Sequence, residues 1–88
     1  MNRDDGFEDL RTLFAADLVE KLKALEAALR DANWDEVSAI AHKIRGTAKS
    51  FGYPEVSNVA ADLEHSSQKK SLEHSAALVK KISDLVVL

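Results

Sequence analysis

The sequence predicts an all-α fold, an antiparallel four-helix bundle with up-down-up-down connectivity. Three observations predict it. Glycine and proline are scarce, with three and one copies in 88 residues, while Ala, Leu, Glu, Lys and Asp dominate, a bias that favours helix. Apolar residues recur at steps of three and four in four separate stretches, the period of an amphipathic helix. The links between those stretches are short, which makes sequential helices antiparallel neighbours.

The length fits a single domain over residues 1–88, and at this size only about 60–65% of the unfolded surface is buried. Cysteine is absent, so neither a disulfide nor a thiolate is available. Apolar packing must hold the chain, and a hydrophobic content of 45% suffices. The formal net charge of −3 makes a sequence-independent nucleic-acid binder a poor expectation. No apolar run approaches the roughly 20 residues of a membrane span. The start, Met1-Asn2-Arg3-Asp4-Asp5, is polar and acidic, unlike a signal peptide. A cytoplasmic protein is expected, with no membrane association.

The first helix is predicted over Phe7 to Asp31. Phe7, Leu10, Phe14, Leu18, Leu22, Leu25 and Leu29 form its stripe. Asp4, Asp5 and Glu8 sit at its positive end, with room for a short extra N-terminal helical turn. Asn33 with Glu36 three residues on is a capping-box variant that starts a second helix, running to about Phe51. Gly52 suits its C-terminal cap, and Pro54 the first turn of a third helix. The third helix, Pro54 to Ser66, places Val56, Val59, Ala60 and Leu63 on one face. Ser66-Ser67-Gln68-Lys69-Lys70 reads as a connection. Ser71 can cap a fourth helix over Leu72 to Val86, with Leu72, Val79, Ile82 and Val86 inward. Val86, Val87 and Leu88 are poor helix formers, so the end should fray or tuck onto the core.

The second helix carries the functional signal. At about 100° per residue, Val37, Ile40, Ala41, Ile44, Ala48 and Phe51 form the core stripe. His42 lies about 150° from the centre of that stripe and points to solvent. Long charged residues usually occupy such a face, yet here Ser38 and Ala39 precede His42 by a turn and Gly46 and Ser50 follow it. Glycine inside a helix costs about 1 kcal/mol relative to alanine. An access patch for another protein around one imidazole explains that cost. Arg45, Lys49 and Lys43 flank the patch, and positive charge there can stabilise a phosphate. An ordinary imidazole has a pKa of about 6.5, so it is a neutral nucleophile near pH 7.

A lone exposed histidine is ordinarily a surface residue and nothing more. The conjunction with Gly46 and three cations is what favours a reactive role. His65 and His74 have neither. A metal site built from the three histidines with Glu64 or Glu73 is disfavoured, because no His-x-x-x-His or Glu-x-x-His pair faces the core. Trp34 and Tyr53 are expected to cap the bundle by packing. Phe7, Leu10 and Phe14 are expected in the core, with a docking role near His42 the lesser reading.

The run Ala41-His42-Lys43-Ile44-Arg45-Gly46-Thr47-Ala48 resembles the histidine-containing phosphotransfer domain family. The family has a histidine, an apolar residue two on, a basic residue three on and glycine four on, followed by small residues. Phe51-Gly52, Asp35 and Leu63-Glu64 match further, so the resemblance covers nearly the whole chain. It implies that His42 is phosphorylated, taking the group from an aspartyl phosphate on a receiver domain and passing it to another. The partners it implies are receiver domains of response regulators or hybrid histidine kinases. The basic position is commonly lysine in the family and is Arg45 here, which keeps the charge but changes the geometry. No glycine-rich phosphate loop or carboxylate cluster suggests ATP or a resident metal, so no cofactor is expected, and magnesium would come with the receiver. A monomeric phosphocarrier that is not itself an enzyme follows. The alternative is a non-phosphorylated helical adaptor for a kinase or response regulator, whose binding would ignore substitution of His42.

Overall fold

The structure, a computed structural model, describes the backbone of residues 3–86 and the side chains of residues 12–86. Four helices follow one another: α1 (Arg3–Arg30), α2 (Trp34–Ser50), α3 (Pro54–Gln68) and α4 (Leu72–Leu85). No strand occurs among the described residues. Each connection is three residues long, so neighbours run antiparallel. α1 packs on α2 and α4, and α3 packs on the same two. The helices therefore stand at the corners of a square with open diagonals.

The core is the predicted one along most of its length. Phe14, Leu18, Leu22, Leu25 and Leu29 from α1 meet Val37, Ile40, Ala41, Ile44 and Ala48 from α2. Val56, Val59, Ala60 and Leu63 complete it from α3, and Leu78, Val79 and Ile82 from α4. Trp34 and Tyr53 pack against the core, as expected of end caps, and so do Leu85 and Val86. Val87 and Leu88 lie outside the described residues, as do the side chains of Phe7 and Leu10. α1 is one uninterrupted helix that starts at Arg3, four residues before the predicted boundary, so the extra N-terminal turn is part of it. At 1.5 Å per residue its 28 residues span about 42 Å, against about 26 Å for α2. Its N-terminal portion consequently extends past the end of α2, and the long dimension of the whole, that extension included, is 49 Å.

Three helix ends share one hydrogen-bond pattern. Tyr53 N donates to Ala48 O (2.8 Å) and Gly52 N to Lys49 O (3.3 Å). That is a Schellman closure, with Gly52 left-handed at φ +83°. The same 6→1 and 5→2 pair closes α1, from Asn33 N to Ala28 O and from Ala32 N to Leu29 O. It closes α3 too, from Ser71 N to Ser66 O and from Lys70 N to Ser67 O. Ala32 (φ +54°) and Lys70 (φ +55°) occupy the position that glycine fills in α2. The Asn33 side chain accepts from Glu36 N at 3.3 Å, as the capping reading requires.

Four expectations are corrected. Phe51 belongs to no buried stripe: it is the C-cap of α2 and remains 40% exposed. The helix has ended there, so the ring swings out and stacks on Phe14 at 5.2 Å between centroids. Leu72 is 55% exposed, because the inward stripe of α4 runs Ser75, Leu78, Val79, Ile82 and leaves Leu72 on the flank toward α1. Ser66 and Ser67 are not a connection but the last buried turn of α3. Their polarity is tolerated because Ser66 Oγ and Ser75 Oγ share a hydrogen bond of 2.8 Å and Ser67 Oγ donates to Glu64 O. Ser71 does occupy the N-cap of α4, but its side chain makes no capping bond, and its carbonyl accepts from Ser75 N instead.

Candidate functional site

α2 presents His42 because Ala41 and Ile44 are fully buried on either side of it. With that stripe fixed against α3 and α1, the rotation of the helix leaves the imidazole outward, its side chain 62% exposed. Gly46 follows one turn later, also exposed. A Cβ built there would meet no atom within 4 Å. The glycine therefore serves no internal packing contact, and the bare backbone faces open space.

Two shallow grooves flank this glycine. One is lined by His42, Lys43, Gly46, Thr47, Ser50 and Phe51. The other lies between α2 and α3 and is bordered by Arg45, Gly46, Lys49, Ser57 and Asn58, among others. Ser38 is half-buried and Ala39 exposed, a turn before the histidine. The small residues thus form a low surface around the ring, with Phe51 as an apolar rim.

The three cations are not equivalent. Arg45 reaches back to the imidazole, with Nη2 3.4 Å from His42 Nδ1. Lys49 borders the α2–α3 groove and Lys43 the other groove, and neither makes a polar contact with the ring among the described residues. All three remain exposed to solvent, so their charge is available to an incoming anion but weakened by screening.

α3 supplies what the sequence did not place. Glu64 Oε2 lies 3.2 Å from His42 Nδ1, and Oε1 lies 3.3 Å from Arg45 Nη1. One carboxylate thus bridges the imidazole and the guanidinium. Its side chain is only 21% exposed. One helical stripe of α3 puts it there: Ser57, Ala60, Ala61 and Glu64 follow at steps of three and four, small enough for α2 to come close. Ser57 Oγ donates to Arg45 O at 2.9 Å, a direct tie between the two helices beside Gly46. The readable signal was that run of small residues leading to a glutamate. Its register against α2 was not readable.

The rival histidines stand apart. His65 on α3 and His74 on α4 are exposed and make no ion pair or side-chain hydrogen bond among the described residues. No group of three or more His, Asp or Glu side chains that could hold a metal occurs among the described residues. No described helix is long and apolar enough to cross a membrane. The arrangement offers an accessible nucleophilic nitrogen, an oriented ring, nearby positive charge and open backbone for a close approach. Among known protein families, the Hpt domain model matches residues 9–87 of the chain. No curated protein and no solved structure matches it.

Proposed function

Because the chain belongs to the Hpt domain family, a family of phosphotransfer in two-component signalling, we propose that it carries a phosphoryl group on His42. In this reading the single bundle of residues 1–88 shuttles the group between His42 and the aspartates of receiver domains, which belong to response regulators or hybrid histidine kinases. The observation that carries it is His42 held outward by buried neighbours, one turn from a glycine with no atom within 4 Å of its missing side chain.

The chemistry is an in-line displacement. The imidazole lone pair forms an N–P bond while the P–O bond of the donor's aspartyl phosphate breaks, returning the aspartate to a carboxylate. Reverse transfer exchanges the roles. Little covalent chemistry is asked of the protein. Catalysis lies in positioning and in charge directed at the phosphoryl oxygens. Arg45 is nearest, with Lys49 and Lys43 on the flanks of the patch. Small residues at Ser38, Ala39, Gly46 and Ser50 let the receiver's active site close over the ring. The chain itself acts as a carrier and not as a kinase, works as a cytoplasmic monomer without a cofactor of its own, and relies on the receiver for magnesium.

The test is transfer from a phosphorylated receiver. Wild type should acquire acid-labile, alkali-stable label and His42→Gln none. Label on the variant equal to that on wild type, or none on wild type with any receiver of its source, overturns the reading. Receiver binding that persists unchanged in an unlabelled protein would favour the adaptor.

A further inference from the structure

Gly46 gives α2 a weak point four residues before its end at Ser50. Glycine has more backbone freedom to lose on folding than any other residue. Gly46 also has nothing to lodge against a neighbour, since the space around its missing Cβ is empty out to 4 Å. The turn that follows is the terminal one, where helices open most readily. A receiver closing over His42 would press on backbone with little of its own to hold its shape.

α3 supplies a hold at this point. Ser57 Oγ donates to Arg45 O at 2.9 Å. That carbonyl and the Gly46 N–H belong to one planar peptide unit, so the bond grips the link into the glycine. Three features single it out. A helical serine ordinarily turns its hydroxyl to solvent or to the carbonyl one turn back in its own helix, whereas this one crosses to another helix. Ser57 is only 7% exposed, so little water competes for the bond. Arg45 O needs no second partner, because the helical pattern already gives it the Lys49 N–H. Alanine at position 57 would therefore leave no polar group unsatisfied. Burial alone does not call for the hydroxyl. What it adds is the tether.

We propose that Ser57 is a positioning residue for phosphotransfer: it pins the Arg45–Gly46 peptide and so keeps the open backbone beside His42 helical while another protein closes on it. The chain can then carry a bare glycine at its point of closest approach without loosening the last turn of α2. The tether acts through the backbone and touches neither the imidazole nor the phosphoryl group.

Amide hydrogen exchange of the unphosphorylated chain reads the tether without any phosphotransfer. The N–H groups of Lys49 and Ser50 bond the carbonyls of Arg45 and Gly46 in the helical pattern. Ser57→Ala should speed exchange at those two amides about 3- to 10-fold relative to Ala41 and Ile44 earlier in the same helix. Ser57→Thr keeps the hydroxyl, and its added methyl has the groove that Ser57 borders to occupy, so it should restore the wild-type pattern. In a Gly46→Ala background, where the backbone is stiffer, the effect of Ser57→Ala should fall below about twofold. Only the kinetic arm rests on His42 being the carrier. There, Ser57→Ala should lower the limiting transfer rate from a phosphorylated receiver about 3- to 10-fold, and Ser57→Thr should recover most of it. Exchange that ignores Ser57→Ala, or that rises by one factor along the whole of α2, overturns the proposal. So does an effect that is equally large with Gly46→Ala. The local exchange pattern in a chain that takes no phosphoryl group upholds the tether and overturns the carrier reading instead.

Discussion

Replacing Gly46 with alanine and with glutamine separates stability from access at one position. Glycine in a helix interior costs about 0.8–1 kcal/mol relative to alanine. Whether that gain is realised depends on what the new Cβ meets, and here it meets nothing within 4 Å. Gly46→Ala should therefore stabilise the domain by about 0.5–1 kcal/mol, which for a domain this size raises Tm by about 3–6 °C. Gly46→Gln should gain a similar or slightly smaller amount, because a straight side chain loses little freedom in a helix. Transfer should respond oppositely. Reacting atoms must come within about 3–3.5 Å, and a misplacement of about 1 Å can cost about a hundredfold. Alanine adds one carbon and should slow transfer modestly. Glutamine reaches over the groove beside His42, Thr47 and Phe51, and should slow it about 10- to 100-fold, less where the side chain rotates aside. Thermal unfolding by circular dichroism gives the first quantity, and single-turnover transfer from a phosphorylated receiver the second. A lowered Tm would show that Gly46 is structurally required. An unchanged transfer rate in Gly46→Gln would refute the idea that the glycine exists for access.

Two further substitutions test the bundle itself. Ala32 and Lys70 hold left-handed dihedrals at Schellman positions that glycine fills at the end of α2, so Ala32→Gly or Lys70→Gly should each add about 0.5–1 kcal/mol, read as a higher urea midpoint at constant slope. A decrease would mean that unfolded-chain entropy outweighs the relief of the strained dihedral. Ser66→Ala or Ser75→Ala should each cost about 1–3 kcal/mol by leaving a buried hydroxyl without its partner. The double variant should cost less than the sum of the two, and strict additivity in that cycle would show the hydroxyl pair to be uncoupled.

Much of this architecture was legible because the decisive signals are local. The α2 stripe, the Asn33 cap and the left-handed turn at Gly52 each depend on residues within a few positions of one another. The outward direction of His42 followed from the helical period alone, since buried Ala41 and Ile44 leave it no other side. What was not legible required knowing how one helix is rotated against the next. Glu64 was visible as a family match, but its place against His42, 22 residues away, depends on the α2–α3 register that the Ser57 bond to Arg45 helps set. Ser66 and Ser67 misled for a related reason. Polar residues read as a link unless their partners are known, and Ser75 belongs to another helix. Phe51 misled because periodicity continues on paper past the residue where the helix stops.

The turn at Gly52 has a consequence for how the reactive geometry can be altered. His42, Arg45, Ser57 and Glu64 all lie on the two helices that this turn joins. A local kink or a residue inserted between Ser50 and Pro54 would slide the carboxylate past the imidazole even if the hydrophobic interior survived. The same amount of variation in the loop after α1 or α3 would leave that alignment intact. The three-residue turn between α2 and α3 is thus the connection on whose length the alignment of His42 with Glu64 directly depends.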